Sequence, residues 1–493
     1  MILLKDKMNK NKFVIQFIVF LFSLSLTPFF ASAAFVGEKT NLYIDNSFSL
    51  NNRDQVSATF VSGSSLLDIY VDSSFWENKT EEEKKEIFDV FDSLSHEFDL
   101  KIYNQLTYTY GEVWDASFSN AGKKVTLLFH QMKENVNGYT RNIDGYEKTI
   151  VPYSNQREII YLNTDKIESI NLKSYLAHEF THLIQFNQKE KKLGTPEEVW
   201  LNELRAEVAP TILGYNDVKE EKNYLRERVS TFLSNSSDSL VKWDNMSYDY
   251  GVVSMFGHYL VDHYGIDILG DSLKNSNKVG IESIEEALLK KGIQDTFKDI
   301  FTNWMIANYV NDCSLNAKYC YKNENLKSLQ IIPFSNFISF TNDSSLSIGQ
   351  TVSNWSANWQ RFSGGNKDLK LVFDGRNNNF KVYYVIRYYT GKQEVKEIKL
   401  DNYGKAEIVF PKMGTSIASL VIIPSIQERN SSNQDFYYSI VASTQGSVEN
   451  NNNTEIKLPF EIDKPLNQMN KEELLMLLIR VIIYLLVQGK LVI

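Results

Sequence analysis

The sequence predicts an α+β chain, with an antiparallel or mixed sheet layer over a helical layer, followed by a β-sandwich. Three observations lead there. Residues 35–165 alternate strand-like and helix-like stretches. Residues 167–310 repeat apolar side chains at helical spacing. From about residue 345, short strand-like runs recur between Gly- and Asn-rich turns.

In chain order, residues 1–33 have the form of an export signal. Lys5, Lys7, Lys10 and Lys12 precede an apolar run from Phe13 to Phe30, and Ala31-Ser32-Ala33 supplies the small residues a signal peptidase needs. An uncleaved anchor is the rival reading, and either one exports the remainder. Residues 34–165 form the N-terminal α+β layer, with strands expected at Leu67–Val71, Val125–Phe129 and Ile159–Leu162. Thr80 and Glu83 make a capping box, and Ile87, Phe88, Phe91, Leu94 and Phe98 continue the helix. Residues 166–330 are the helical part of the same unit. Cys313 and Cys320, close together in a turn-like stretch of an exported chain, are expected to form a local disulfide. Residues 345–445 form the β-sandwich, with strands at Leu369–Phe373, Lys381–Tyr389, Ala406–Phe410, Ser419–Ile423 and Phe436–Ala442. Residues 446–467, rich in Asn, read as a linker. Residues 468–493 form an apolar C-terminal helix whose run from Leu474 to Val487 falls short of the roughly 20 residues a span needs. It suits self-association, docking or contact with a cell or membrane surface.

Composition narrows the function. The chain has 52 Lys and Arg against 61 Asp and Glu, a net charge of −9, so no basic excess exists to hold a nucleic acid. Two cysteines exclude a four-thiolate zinc site. Of six histidines, two stand four apart in His178-Glu179-Phe180-Thr181-His182. Residues four apart lie on one helix face, so both imidazoles can reach one metal ion. Zinc accepts imidazole nitrogen, and catalysis needs a third protein ligand plus an open water position. Glu179 is placed to act as general base. The flanking Tyr175, Leu176, Ala177, Phe180, Leu183, Ile184 and Phe186 predict a buried helix, in which two His and a Glu are costly without a partner.

A second helix is expected to start with Thr195 as cap, Pro196 in the first position and Glu198 completing a capping box, and to stop at Gly214. It carries Trp200-Leu201-Asn202-Glu203. Glu203 is preferred as the third ligand, and Glu207, one turn on, as the partner that orients a ligand His.

His178-Glu-x-x-His182 followed by Trp200-Leu-Asn-Glu203 resembles the gluzincin metallopeptidases. The stretches Tyr153–Asn163, His178–Gln188 and Trp200–Glu207 are most similar to the hyicolysin-type secreted neutral metallopeptidases. The resemblance covers residues 138–310, and Leu204 departs from the Gly common after this motif. It implies a Zn2+ ion on His178, His182 and Glu203, Glu179 as base, and a Tyr on a later helix that steadies the tetrahedral intermediate. Tyr248 is the candidate and Tyr250 its rival, while His258 and His263 read as core residues. Gln185 and Gln188 stand where a metzincin has Gly and its third His, which excludes that class. No Gly-x-Met-Glu-Asn element is present to hold a free α-amino group, so endopeptidase action on a protein or peptide is preferred. The alternative is a surface-binding protein that uses the β-sandwich for attachment, with the peptidase core as scaffold.

Overall fold

Six strands between residues 39 and 163 make one mixed sheet in the order β1-β2-β3-β4-β6-β5. β1 (Lys39–Tyr43), β2 (Gln55–Gly63) and β3 (Leu67–Asp72) are antiparallel, whereas β3, β4 (Val125–His130) and β6 (Ile159–Asn163) run parallel. β5 (Gly138–Thr140) closes one side, antiparallel to β6. The computed structural model describes residues 35–114, 124–216, 223–340, 343–429, 434–445 and 474–479. The export signal at 1–33 and the linker at 446–467 lie outside these residues. Of the C-terminal helix only 474–479 is described, as helix, with Leu475, Met476 and Leu478 exposed.

Parallel strands need crossovers, and their apolar runs are buried on both faces. All of β4 is buried. The crossover from β3 to β4 starts with α1 (Ser73–Glu77), capped by the Asp72 carboxylate, which accepts from the Ser74 N–H at 3.0 Å. α2 (Glu81–Glu97) follows with the expected box: Thr80 Oγ1 accepts from Glu83 N–H at 3.2 Å, and the Glu83 carboxylate accepts from Thr80 N–H at 2.8 Å. Its buried stripe is Ile87, Phe91 and Leu94, while Phe88 is exposed, so the apolar face is narrower than the sequence suggests. α3 (Tyr103–Tyr110) follows in the same crossover.

The helical layer comprises α4 (Leu172–Gln185), α5 (Val199–Ile212), α6 (Tyr224–Ser234), α7 (Ser247–Tyr264), α8 (Asp267–Lys274), α9 (Gly280–Lys290) and α10 (Phe297–Val310). α4 packs between the sheet and α5, and nearly every residue of it is buried. α5 starts at Val199, later than expected, with Glu198 in extended conformation and no side-chain cap. Glu198 of the expected box and its neighbour Glu197 are engaged elsewhere. Buried Glu197 accepts from Arg205 at 3.0 and 3.1 Å and from Gly280 N–H at 2.7 Å, while Glu198 accepts the Trp200 indole N–H. Gly214, at φ 70°, ends the helix as expected. The turn after α10 carries the Cys313–Cys320 disulfide, with Cα atoms 5.0 Å apart.

The C-terminal region is β-rich and begins at Phe334, before the expected residue 345. One sheet runs β13-β12-β15-β10-β7, with β9 paired to β15, and the other runs β14-β11-β16-β8. The strands are β7 (Phe334–Ile338), β8 (Ser345–Ser353), β9 (Ser356–Ala357), β10 (Gln360–Gly364), β11 (Asp368–Asp374), β12 (Phe380–Tyr388), β13 (Gln393–Ile398), β14 (Lys405–Phe410), β15 (Ile417–Ile426) and β16 (Asp435–Gln445). Phe362, Val382 and Leu420 of the first sheet share a core with Leu371, Tyr438 and Ile440 of the second. The outer face of the first sheet is not free. Trp355, Trp359, Val421 and Ile423 belong to the same core as the helical layer. Trp355 contacts Phe297 and Phe301 of α10 at 5.1 and 5.3 Å, and the Trp359 indole donates to Met305 O at 3.1 Å. No described helix is long and apolar enough to cross a membrane.

Candidate metal centre

α4 and α5 bring His178, His182 and Glu203 to one point. The two Nε2 atoms are 3.2 Å apart, and Glu203 Oε2 lies 3.3 Å from that of His178 and 3.6 Å from that of His182. Three donors held at roughly 2.0–2.1 Å from a tetrahedral zinc would stand about 3.3–3.4 Å from one another. The observed separations match that face. Glu203 Oε2 is also buried without a hydrogen-bond partner, a costly state that an ion would relieve. Two imidazoles and one carboxylate make a donor set suited to a divalent transition metal. Among the described residues this is the one group of its kind.

The outer side of His178 is held from α5 and α6. Tyr224 Oη lies 3.0 Å from His178 Nδ1 and donates to Glu207 Oε1 at 2.6 Å, while His178 Nδ1 and Glu207 Oε1 are 3.4 Å apart. Arg228 clamps Glu207 through Nε and Nη2, both at 2.8 Å, and Nη2 donates to Tyr224 Oη at 3.1 Å. Glu207 therefore stands beside His178, the candidate ligand it was expected to neighbour. Tyr224 and Arg228 were not legible in the sequence, where their only signal is a Tyr and an Arg four apart after a capping Asn223. Gln185 Nε2 lies 3.4 Å from His182 Nδ1 and donates to Asn202 O at 3.0 Å.

These side chains open onto a cleft of about 890 Å³, whose other wall is the edge strand β5, from Gly138 to Thr140. Glu179 lines it, as does Tyr250. Tyr248 does not, although it was the sequence-based choice for the oxyanion. Residues two positions apart on a helix are about 200° apart around its axis, so one cleft takes one of the pair. α7 turns Tyr250 inward, where Trp243 meets its ring at 4.9 Å and the Arg228 guanidinium lies 5.1 Å from its centre. Between them, buried Asp249 accepts from the Asp244 and Met246 N–H groups at 3.0 and 2.8 Å and fixes the turn.

Burial raises the carboxyl of Glu179 above its ordinary range, against the pull of His178 and His182, and Glu203 and Glu207 add to the rise. Burial opposes a charge on His182, but the carboxylates of Glu203, Glu179 and Glu207 outweigh it and lift the imidazole to about 9. Burial also opposes charge on Glu203, and the two histidines reverse that and hold it well below the carboxylate range. Burial pushes the Tyr250 phenol up, and nearby Glu203 and Glu179 push it further, so it remains a donor.

His258 and His263, read from the sequence as core residues, are held by local hydrogen bonds. His258 bonds Ser254 O and Thr211 Oγ1, both at 2.7 Å, and His263 Nε2 lies 2.9 Å from Cys320 O.

The fold and these distances define a two-histidine, one-glutamate site that could hold a metal ion. No family model and no curated protein matches the chain. Among solved structures, the PliG inhibitor of g-type lysozyme from Aeromonas hydrophila is 16% identical, covering 23% of this chain and 96% of its own, with a TM-score of 0.17. The pre-peptidase C-terminal domain of a collagenase from Bacillus anthracis is 11% identical, covering 22% and 96%, also at 0.17. At such scores the likeness carries no argument.

Proposed function

We propose that this chain is an exported, zinc-dependent endopeptidase of the gluzincin class. The observation that carries the reading is the triplet His178, His182 and Glu203 at 3.2–3.6 Å, in one cleft with Glu179 and the edge strand β5. An ion held by these three residues would supply Lewis acidity toward a water and toward a substrate carbonyl. Glu179, its carboxyl raised by burial, takes a proton from the attacking water and delivers it to the nitrogen of the breaking C–N bond. The peptide lies along β5, which offers backbone groups for pairing. Tyr250 replaces Tyr248 as the phenol that donates to the oxyanion as it develops. Export is supported by the form of residues 1–33 and by the disulfide.

The test is hydrolysis of an unfolded protein by the chain lacking residues 1–33. Activity is expected to vanish with a chelator and return with zinc, and the products to map to internal bonds. Activity indifferent to chelation would defeat the metal reading, and release of N-terminal residues alone would defeat endopeptidase action.

A further inference from the structure

We infer that Tyr224 is a positioning residue for the metal centre: its phenol links Glu207 to His178 and fixes the tautomer in which His178 Nε2 is free to bind an ion. The inference rests on the proposed metal reading of the site. Glu207 is the natural orienting group for a ligand His, but its Oε1 is 3.4 Å from His178 Nδ1, a long contact. Tyr224 Oη is closer to both, at 2.6 Å from Glu207 Oε1 and 3.0 Å from His178 Nδ1.

A phenol has one proton. The 2.6 Å distance is that of an O–H donating to a carboxylate, so the proton points at Glu207. The Tyr224 oxygen then acts only as acceptor toward its other neighbours. Arg228 Nη2 donates to it at 3.1 Å, and His178 Nδ1 must donate as well. A neutral imidazole protonated on Nδ1 presents a lone pair on Nε2, the atom that faces Glu203 and His182. The bidentate clamp of Arg228 on Glu207 holds that carboxylate still, with both oxygens accepting, so the direction of the chain of hydrogen bonds is set from its far end. Tyr224 is itself locked: it is fully buried, its ring meets Tyr175 at 5.9 Å, and Asn223 caps its helix by accepting from Arg226 N–H at 2.9 Å. His182 has no such support, since its Nδ1 faces an amide nitrogen at 3.4 Å.

The variant Tyr224→Phe keeps the ring and removes the link. Zinc affinity, measured by competition with a chromophoric chelator, is expected to fall about 10–100-fold, while the melting temperature of the metal-free protein stays near that of the wild type. Unchanged affinity would overturn the inference. Independently of folding in the variant, ¹⁵N shifts of metal-free wild-type protein, with His178 assigned by its loss in His178→Asn, should show Nδ1–H. An Nε2–H tautomer would overturn the inference, and it would do so even if the wild type bound no ion. Failure of the wild type to bind zinc while His178 keeps the Nδ1–H tautomer would count against the metal reading alone.

Discussion

A Cβ placed on Gly138 would stand 3.1 Å from Cγ of Glu179. The edge strand β5 and the helix that carries both histidines thus approach as closely as a glycine allows, at the residue proposed to move the proton. The same Cβ would meet Leu162 Cδ2 at 2.6 Å and Tyr161 O at 2.8 Å. Leu162 can rotate, but Tyr161 O is backbone and cannot yield without shifting the pairing of Gly138 with Leu162. Gly138→Ala should therefore cost about 1–3 kcal/mol of stability. It should also lower kcat/KM by on the order of 100-fold, because displaced substrate loses its alignment. Wild-type kinetics in this variant would show that β5 does not position the substrate.

Ion binding should release protons. His182, lifted to about 9 by its carboxylate neighbours, is protonated at pH 7 in the metal-free protein. A ligand nitrogen must be bare. Calorimetry of zinc binding in buffers of different ionisation heat should show about one proton released at pH 7, and less as pH rises past about 9. No release at pH 7 would contradict this arrangement.

A second pH effect comes from outside the cleft. Burial raises Glu158 from 4.5 to about 8, with Lys191 pulling it down and Asp144 pushing it further up. Between these values the folded chain holds a proton that the unfolded chain has released. Folding stability therefore falls as pH rises through this window, by at most about 1.4 kcal/mol per pH unit from this group. Urea unfolding of wild type and Glu158→Gln at pH 5 and pH 8 should show the variant gaining relative stability at the higher pH. Parallel pH profiles would contradict this.

The β-rich region should not behave as a detachable module. Trp355 and Trp359 are buried in the core of the helical layer, and β7 pairs with β10 from before residue 345. Trp355→Ala in the full chain should cost about 3–5 kcal/mol. The isolated segment 345–445 should lack a cooperative thermal transition, and a sharp one would show that the region folds alone.

Much of the centre was legible because its residues are tied by local geometry. His178 and His182 are one turn apart on a helix, and a returning helix brings back Glu203 and Glu207 in the same register. Tyr224 and Arg228 arrive on a third helix whose approach is decided by packing, which leaves no local pattern. The start of α5 was misplaced because Thr195, Pro196 and Glu198 look like a helix start, yet Glu198 bonds Trp200 and its neighbour Glu197 is buried against Arg205. Choosing between Tyr248 and Tyr250 needs the rotation of α7 about its axis, and that depends on the buried Asp249 turn. β7 escaped because it is an edge strand with Phe334 and Phe337 exposed, so it lacks the alternation of a half-buried strand.

The most direct test of the central claim is bound metal per chain measured together with peptide hydrolysis in wild type, Glu179→Gln and Glu203→Gln. The proposed chemistry predicts one zinc in the wild type and in Glu179→Gln, weakened retention in Glu203→Gln, and hydrolysis in the wild type alone, with Glu179→Gln down by at least about 100-fold. Full activity in Glu179→Gln, or a wild-type chain that hydrolyses peptides without any bound metal, would contradict it.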